Sequence, residues 1–354
     1  MLSPPHDARV STALAGDFVH CREMIRGGSR SFHAASLLLP TRVRRPAYAL
    51  YAFCRLSDDA VDLNGSRTGT LARLHERLVR AYAGRPLDHP VDRAFAATVS
   101  RFAIPPDLPL ALLEGLAWDA AGRRYDTIAD LEAYAARVAG SVGAMMALLM
   151  GVRDPRLLAR ACDLGVAMQY TNIARDVGED ARNGRLYLPG QWLTEEGVNP
   201  ASFLAAPACT SAIRRVVARL LGEADRLYAR ADAGIAGLPI SCRPAITAAR
   251  LLYAAIGREV ARNGFDPVSR RAVVPTRRKC ALVARALIGL PRAPAPASAP
   301  PLAATRFLVD AAREARPPTR PAAWWDIGGR VVFAIELFDR LERRDRLQRV
   351  MSRS

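Results

Sequence analysis

Along residues 165–189, GVAMQYTNIARDVGEDARNGRLYLP, the polar positions fall at a spacing that a helix turns into one stripe. Gln169, Asn172, Asp176 and Asp180 stand at i, i+3, i+7 and i+11, and residues three or four apart share a helix face. Val166, Ala167, Met168, Ile173, Ala174 and Val177 flank the stripe as the sides of a buried helix would. The pattern predicts a helix running to about Arg182. A second stretch, YAFCRLSDDAVD at 51–62, repeats the layout, with Tyr51, Arg55, Asp58 and Asp62 at i, i+4, i+7 and i+11. Leu50, Ala52, Phe53, Leu56 and Val61 surround it. No period-2 series predicts strands, and no glycine fingerprint predicts a dinucleotide fold. Aromatic residues make up only 6%, while Ala and Leu dominate, which favours helix over sheet. The expected fold class is all-α.

Each stripe carries an acid pair at i,i+4, and the pairs lie about 118 residues apart. One reading is a solvated face on each helix, with Arg175, Arg182 and Arg185 neutralising the second pair. The other brings both pairs to one cavity. Like charges 5 Å apart repel by about 3 kcal/mol at an effective dielectric near 20, so such a cluster implies protonation or a multivalent cation. Oxygen ligands of this kind suit Mg²⁺, which keeps several waters and is completed by substrate phosphates; Mn²⁺ is a possible substitute. Diphosphate bridged to carboxylates through magnesium explains both stripes at once.

The motifs DDAVD and DVGED, with RLYLP after the second, resemble the squalene/phytoene synthase family of head-to-head prenyl transferases. GGSRSFHAASLLLP (27–40) is similar to that family's N-terminal substrate-binding segment, and YAARVAGSVGAMM (134–146) to its central helix. ARLLYAAIGREVARNGFDPVSRRAVVP (249–275) is similar to its closing helix pair. The likeness spans roughly residues 20–290. It implies an isoprenoid-synthase-type helical fold enclosing a deep apolar cavity. It also implies Mg²⁺ held by Asp58, Asp62, Asn172, Asp176 and Asp180, and diphosphate oxygens bound by Arg55 and Arg175. Two geranylgeranyl diphosphates would couple through a cyclopropyl diphosphate to phytoene, a carotenoid precursor, without NADPH. The same motifs serve coupling of farnesyl diphosphate to squalene or dehydrosqualene. A non-catalytic, membrane-associated assembly factor is the alternative of another class.

Further positions follow from the same resemblance. From the residues alone, Ser29, Arg30 and Ser31 are either an ordinary helix N-cap or a phosphate cradle; the likeness makes them diphosphate ligands. Tyr134 is expected near the developing cation. Tyr253 resembles a substrate-contacting position, and Tyr51 and Gln169 complete the substrate-binding set. Asp119 falls where relatives carry an acid near the cavity, though an ion pair with Arg123 fits as well. Tyr187 reads as a cap on the second acidic helix. The small residues Ala139, Gly140, Ser141 and Gly143 suit either a long prenyl chain or a close helix neighbour.

Net charge is +17, carried almost wholly by arginine, with Lys279 the only lysine. The arginines are spread along the chain and form no nucleic-acid module, so diphosphate and anionic lipid are the expected partners. Six cysteines stand far apart without a C-x-x-C pair, which points to reduced thiols in a cytoplasmic protein. No apolar run is long enough to span a bilayer, so any contact with the inner membrane surface would be peripheral. The expected division is a catalytic domain at 1–290, a Pro/Ala linker at 291–301 and a basic amphipathic extension at 302–354. Within the extension the pattern predicts a helix over 324–350 that either anchors at a membrane or docks on the main domain.

Overall fold

A computed structural model of the chain describes residues 6–63, 67–288 and 299–315, without the side chains of 6–13, 30, 62–63 and 67–68. Every regular element among them is helical. In chain order these are α1 (His6–Gly28), α2 (Arg30–Ser36), α3 (Thr41–Leu63), α4 (Arg67–Tyr82), α5 (Pro90–Phe102), α6 (Asp107–Ala120) and α7 (Ile128–Ala135). A π-helical turn, Ala136–Gly140, leads into α8 (Ser141–Leu149). Then come α9 (Pro155–Arg182), α10 (Gly190–Glu195), α11 (Pro200–Ala205), α12 (Ser211–Ile235), α13 (Arg243–Arg262), α14 (Thr276–Ile288) and α15 (Arg306–Glu314). The two acidic stripes therefore sit on α3 and α9, and α9 ends at Arg182 as the pattern predicts.

Helix α9 is the axis of the bundle. It starts cleanly because Asp154 accepts from the Arg156 N–H and Pro155 presets the first turn. Its apolar sides are covered by α8, α12 and α13. The crossing with the π-turn and α8 is made backbone to backbone. A Cβ on Gly165 would lie 2.3 Å from the Ala139 carbonyl oxygen, and one on Gly143 would lie 2.2 Å from that of Ala161. Gly165→Val is therefore expected to lower stability by about 3 kcal/mol, since the obstacle is main chain that cannot rotate away. A thermal melt beside wild type checks this; an unchanged midpoint would mean that the helices separate at little cost.

Across the bundle, α3 packs on α1 and α5, where Phe53 and Phe95 stack with ring centroids 3.9 Å apart. Residues 302–315, expected to form part of an extension, lie on the helical body. Leu308, Val309 and Ala312 are buried, and α15 packs on α6, α8 and α9. The helix expected over 324–350 lies outside the described residues. Among those described, no helix is long and apolar enough to cross a membrane.

Candidate active site

The stripe on α9 continues downward as a cavity wall. Leu157, Arg160, Leu164, Met168 and Asn172 recur at three- or four-residue spacing and line an apolar cavity of about 330 Å³. From Asn172 to Leu157 that wall runs roughly 22 Å at 1.5 Å per residue. The opposing wall comes from α3, with Ala47, Leu50, Tyr51 and Cys54, and α13 contributes Ala245, Ile246 and Ala249. Ala139, Val142 and Gly143 also face the cavity. Of the two roles expected for the small residues of the central helix, the close helix neighbour is seen at Gly143, while Ala139 and Gly143 also border open space.

Both stripes reach this cavity at the same end. Tyr51 and Cys54 precede Asp58 on α3, and Gln169 and Asn172 precede Asp176 on α9; all four of these neighbours line it. Tyr253, almost fully buried, joins the two sides. Its ring lies 4.9 Å from that of Phe32, and its hydroxyl feels both Tyr51 and the Arg175–Asp176 pair. Burial raises the hydroxyl pKa of Tyr51 and of Tyr253. The Tyr51 hydroxyl also occupies the space a Cβ on Gly28 would need, 2.3 Å away, so a larger residue there would push the tyrosine aside.

Arginines hold the acids. Arg175 forms a two-pronged pair with Asp176, with Nε 2.8 Å from Oδ1. Arg271 donates to the same Oδ1 at 2.9 Å and reaches Glu179 at 3.4 Å. On α3, Arg55 approaches Asp58 at 3.8 Å but binds Asp59 more tightly, at 2.7 Å. Asp59 lies just off the predicted stripe. Asp180 is mostly enclosed, and burial followed by the charge of Asp176 pushes its carboxyl up to about 7. The side chains of Asp62 and Arg30 lie outside what is described. Ser29 is the N-cap of α2, accepting from the Phe32 N–H at 3.3 Å, and Ser31 is half-buried in the first turn.

Beside the second stripe lies a cluster only partly foreseen. The Tyr134 and Tyr187 hydroxyls each donate to Asp119 at 2.7 Å, one to each oxygen. Their rings lie 5.3 Å apart with Tyr125 against both, at 5.1 and 6.1 Å. Tyr187 is thus a partner of Asp119. Arg123 lies over the Trp118 ring, 3.9 Å from its centroid. The carboxylate couples electrostatically to Asp180, which brings the cluster to the edge of the acidic site. Three tyrosines at 125, 134 and 187 have no shared spacing, so no periodic signal announces them.

The residues present fit a hard divalent cation shared with a diphosphate. The donors are all oxygen, and the Asn172 Oδ1 is buried without a hydrogen-bond partner, an acceptor waiting for a cation or a donor. Among the described residues no three His, Cys, Asp or Glu side chains form a metal-binding group by themselves. Ligands from substrate would have to complete the shell, as magnesium sites commonly require.

The model of the squalene/phytoene synthase family matches residues 25–279. The chain is 52% identical over 347 residues to a phytoene synthase of Cereibacter sphaeroides, covering 94% of this chain and 95% of that protein. It is 56% identical over 305 residues to a phytoene synthase of Rhodobacter capsulatus, covering 84% and 90%. Among solved structures, a dehydrosqualene synthase bound to a ligand superimposes with a TM-score of 0.72 at 30% identity, over 79% of this chain and 98% of that one. The squalene synthase HpnC from Alicyclobacillus acidocaldarius gives 0.66 at 30%, over 72% and 96%. With its helical bundle, its apolar cavity and its two acidic helices, this chain belongs to the squalene/phytoene synthase family.

Proposed function

We propose that the chain couples two molecules of geranylgeranyl diphosphate head to head, through prephytoene diphosphate, to phytoene, with release of two diphosphates. The observation that carries this reading is the identity of more than half, over nearly the whole chain, to proteins named phytoene synthase. The cavity supports it chemically: its lining from Tyr51 and Met168 inward is largely apolar, the surroundings that shield an allylic cation formed at the mouth from water.

In this reading Asp58, Asp62, Asn172, Asp176 and Asp180 hold Mg²⁺. When bound, the metal supplies Lewis-acid stabilisation of the departing diphosphate. Arg55 and Arg175 turn from their aspartates toward the diphosphate oxygens as charge builds there. Loss of the first diphosphate leaves an allylic cation, which the 2,3 double bond of the second molecule attacks. Proton loss closes the cyclopropane, and a second ionisation, rearrangement and proton loss give the hydrocarbon. Tyr134 and Tyr187, fixed by Asp119, present ring faces near the acids, where a π-system attracts positive charge. Ser29, Arg30 and Ser31 serve the diphosphate from the α2 side. Surface arginine draws the protein to anionic lipid, where its substrate resides.

Purified protein with magnesium, supplied with farnesyl or geranylgeranyl diphosphate and no NADPH, should yield phytoene from the twenty-carbon substrate by mass analysis. Chelating the metal should abolish the reaction. A product confined to thirty carbons would replace the substrate assignment by the farnesyl-coupling one.

A further inference from the structure

We propose that Arg160, clamped by the chain segment that precedes α15, closes the far end of the cavity together with Leu157 and limits the length of prenyl chain it admits. This inference rests on the function proposed above. Arg160 lies on the cavity-lining face of α9, 12 residues before Asn172, which places it about 18 Å below the polar mouth. Only 2% exposed, it is among the largest fully buried side chains of the molecule.

A buried guanidinium is tolerated only when its charge is answered. Here Nε sits 2.8 Å from Asp163 Oδ2, an ion-pair contact that is not aligned as a hydrogen bond. The two terminal nitrogens donate to the carbonyls of Ala299 and Pro300, at 2.8 and 3.2 Å. Arg230 closes the network, donating to Asp163 at 2.9 Å and to Pro300 at 2.7 Å. At the far end of the segment, Arg153 bonds the Ala315 carbonyl at 2.7 Å. Residues 299–315 are thus strapped to the body at both ends, with Leu308, Val309 and Ala312 buried between.

With its guanidinium committed to Asp163 and the strap carbonyls, Arg160 has its alkyl stem left to border the cavity. Gly234 packs directly against that stem. A Cβ on Gly234 would fall 2.3 Å from Arg160 Cβ and 2.9 Å from Cγ. Leu157, one turn further along the same face, stands against Gly237 in the same way, 2.5 Å from where a Cβ would lie. The end of the cavity is a wall with a fixed position, and its position depends on a segment about 140 residues away in sequence.

The test is a competition among equal concentrations of farnesyl, geranylgeranyl and geranylfarnesyl diphosphates with full-length protein and magnesium, read by mass analysis of the hydrocarbons. Arg160→Ala is expected to raise the share of products built from the twenty-five-carbon chain by about 10-fold, since a few methylenes decide fit in an apolar pocket. Arg160→Met keeps most of the stem without the charge and is expected to keep the wild-type distribution. Leu157→Ala removes wall without touching an ion pair and should move the distribution as Arg160→Ala does; it decides the matter should the arginine variant not fold. A wild-type distribution from folded Arg160→Ala, or from Leu157→Ala in its place, overturns the proposal. A wild-type enzyme that accepts only the fifteen-carbon substrate refutes the substrate reading instead. A lengthening of its products by Arg160→Ala would still support the depth role.

Discussion

Replacing Asp176 with alanine is expected to lower the coupling rate about 100- to 1,000-fold while leaving the helical fold intact, the scale of loss when a group stabilising a departing oxyanion is removed. Asp176 is the hub of the second stripe: Arg175 and Arg271 both bind it, and Asp180 feels its charge. In the proposed mechanism its loss would take away a metal ligand, and it would release Arg175 from the ion pair that now holds it. Asp58→Ala on the facing helix should act alike. Asp59, tied to Arg55 at 2.7 Å, is a separate case, and Asp59→Ala is expected to raise KM more than it lowers kcat. Circular dichroism and single-turnover rates at saturating magnesium check these outcomes. Full activity in folded Asp176→Ala would remove the carboxylate from the mechanism.

A chain ended after residue 298 is expected to lose stability on the order of 5 kcal/mol or more, whereas one ended after residue 315 should melt close to wild type. The first truncation uncovers the faces that bury Leu308 and Val309, at about 1.5–3 kcal/mol each. It also leaves the buried Arg160 with Asp163 and no carbonyls, and a buried charge stripped of a partner costs about 3–5 kcal/mol. For a domain of this size the midpoint should fall by about 10 °C or more. Equal melting of the two truncations would show that the strap rests on the body without holding it. Vesicle sedimentation of the longer one isolates what residues 316–354 contribute to lipid binding.

Much of the site was legible because it is periodic. Gln169, Asn172, Asp176 and Asp180 can be read off a helical wheel, and so can Tyr51, Arg55 and Asp58. The helix that carries the first set ends at Arg182, where its apolar pattern stops. What periodicity could not resolve is which of two adjacent carboxylates an arginine grips; Asp58 and Asp59 differ by one position, and only side-chain geometry separates them. Ser29 shows the reverse: its hydroxyl makes the ordinary cap that its residue type favours, whatever it later does for substrate. The strap was illegible for a deeper reason. Its anchors are backbone carbonyls at 299, 300 and 315, which every residue possesses, so no side chain marks them. The signal lay instead in Arg160, an arginine on the apolar face of a buried helix, where a charge must have found partners.

The burial that raises the pKa of the site's phenols and of a cavity thiol also bears on how long the enzyme survives its own chemistry. A prenyl cation alkylates nucleophiles within reach, anionic ones most readily, and each such event would kill a molecule of catalyst. Cys54 lines the cavity, yet desolvation pushes its thiol up to about 12, so at neutral pH it is almost never a thiolate. Tyr51, Tyr134, Tyr187 and Tyr253 are likewise held as neutral phenols, displaying electron-rich faces without an oxyanion to form an ether. A neutral thiol or phenol is a weaker nucleophile than its anion, so capture of the cation by these groups is slowed. Turnovers before inactivation, more than rate, are what this dryness protects.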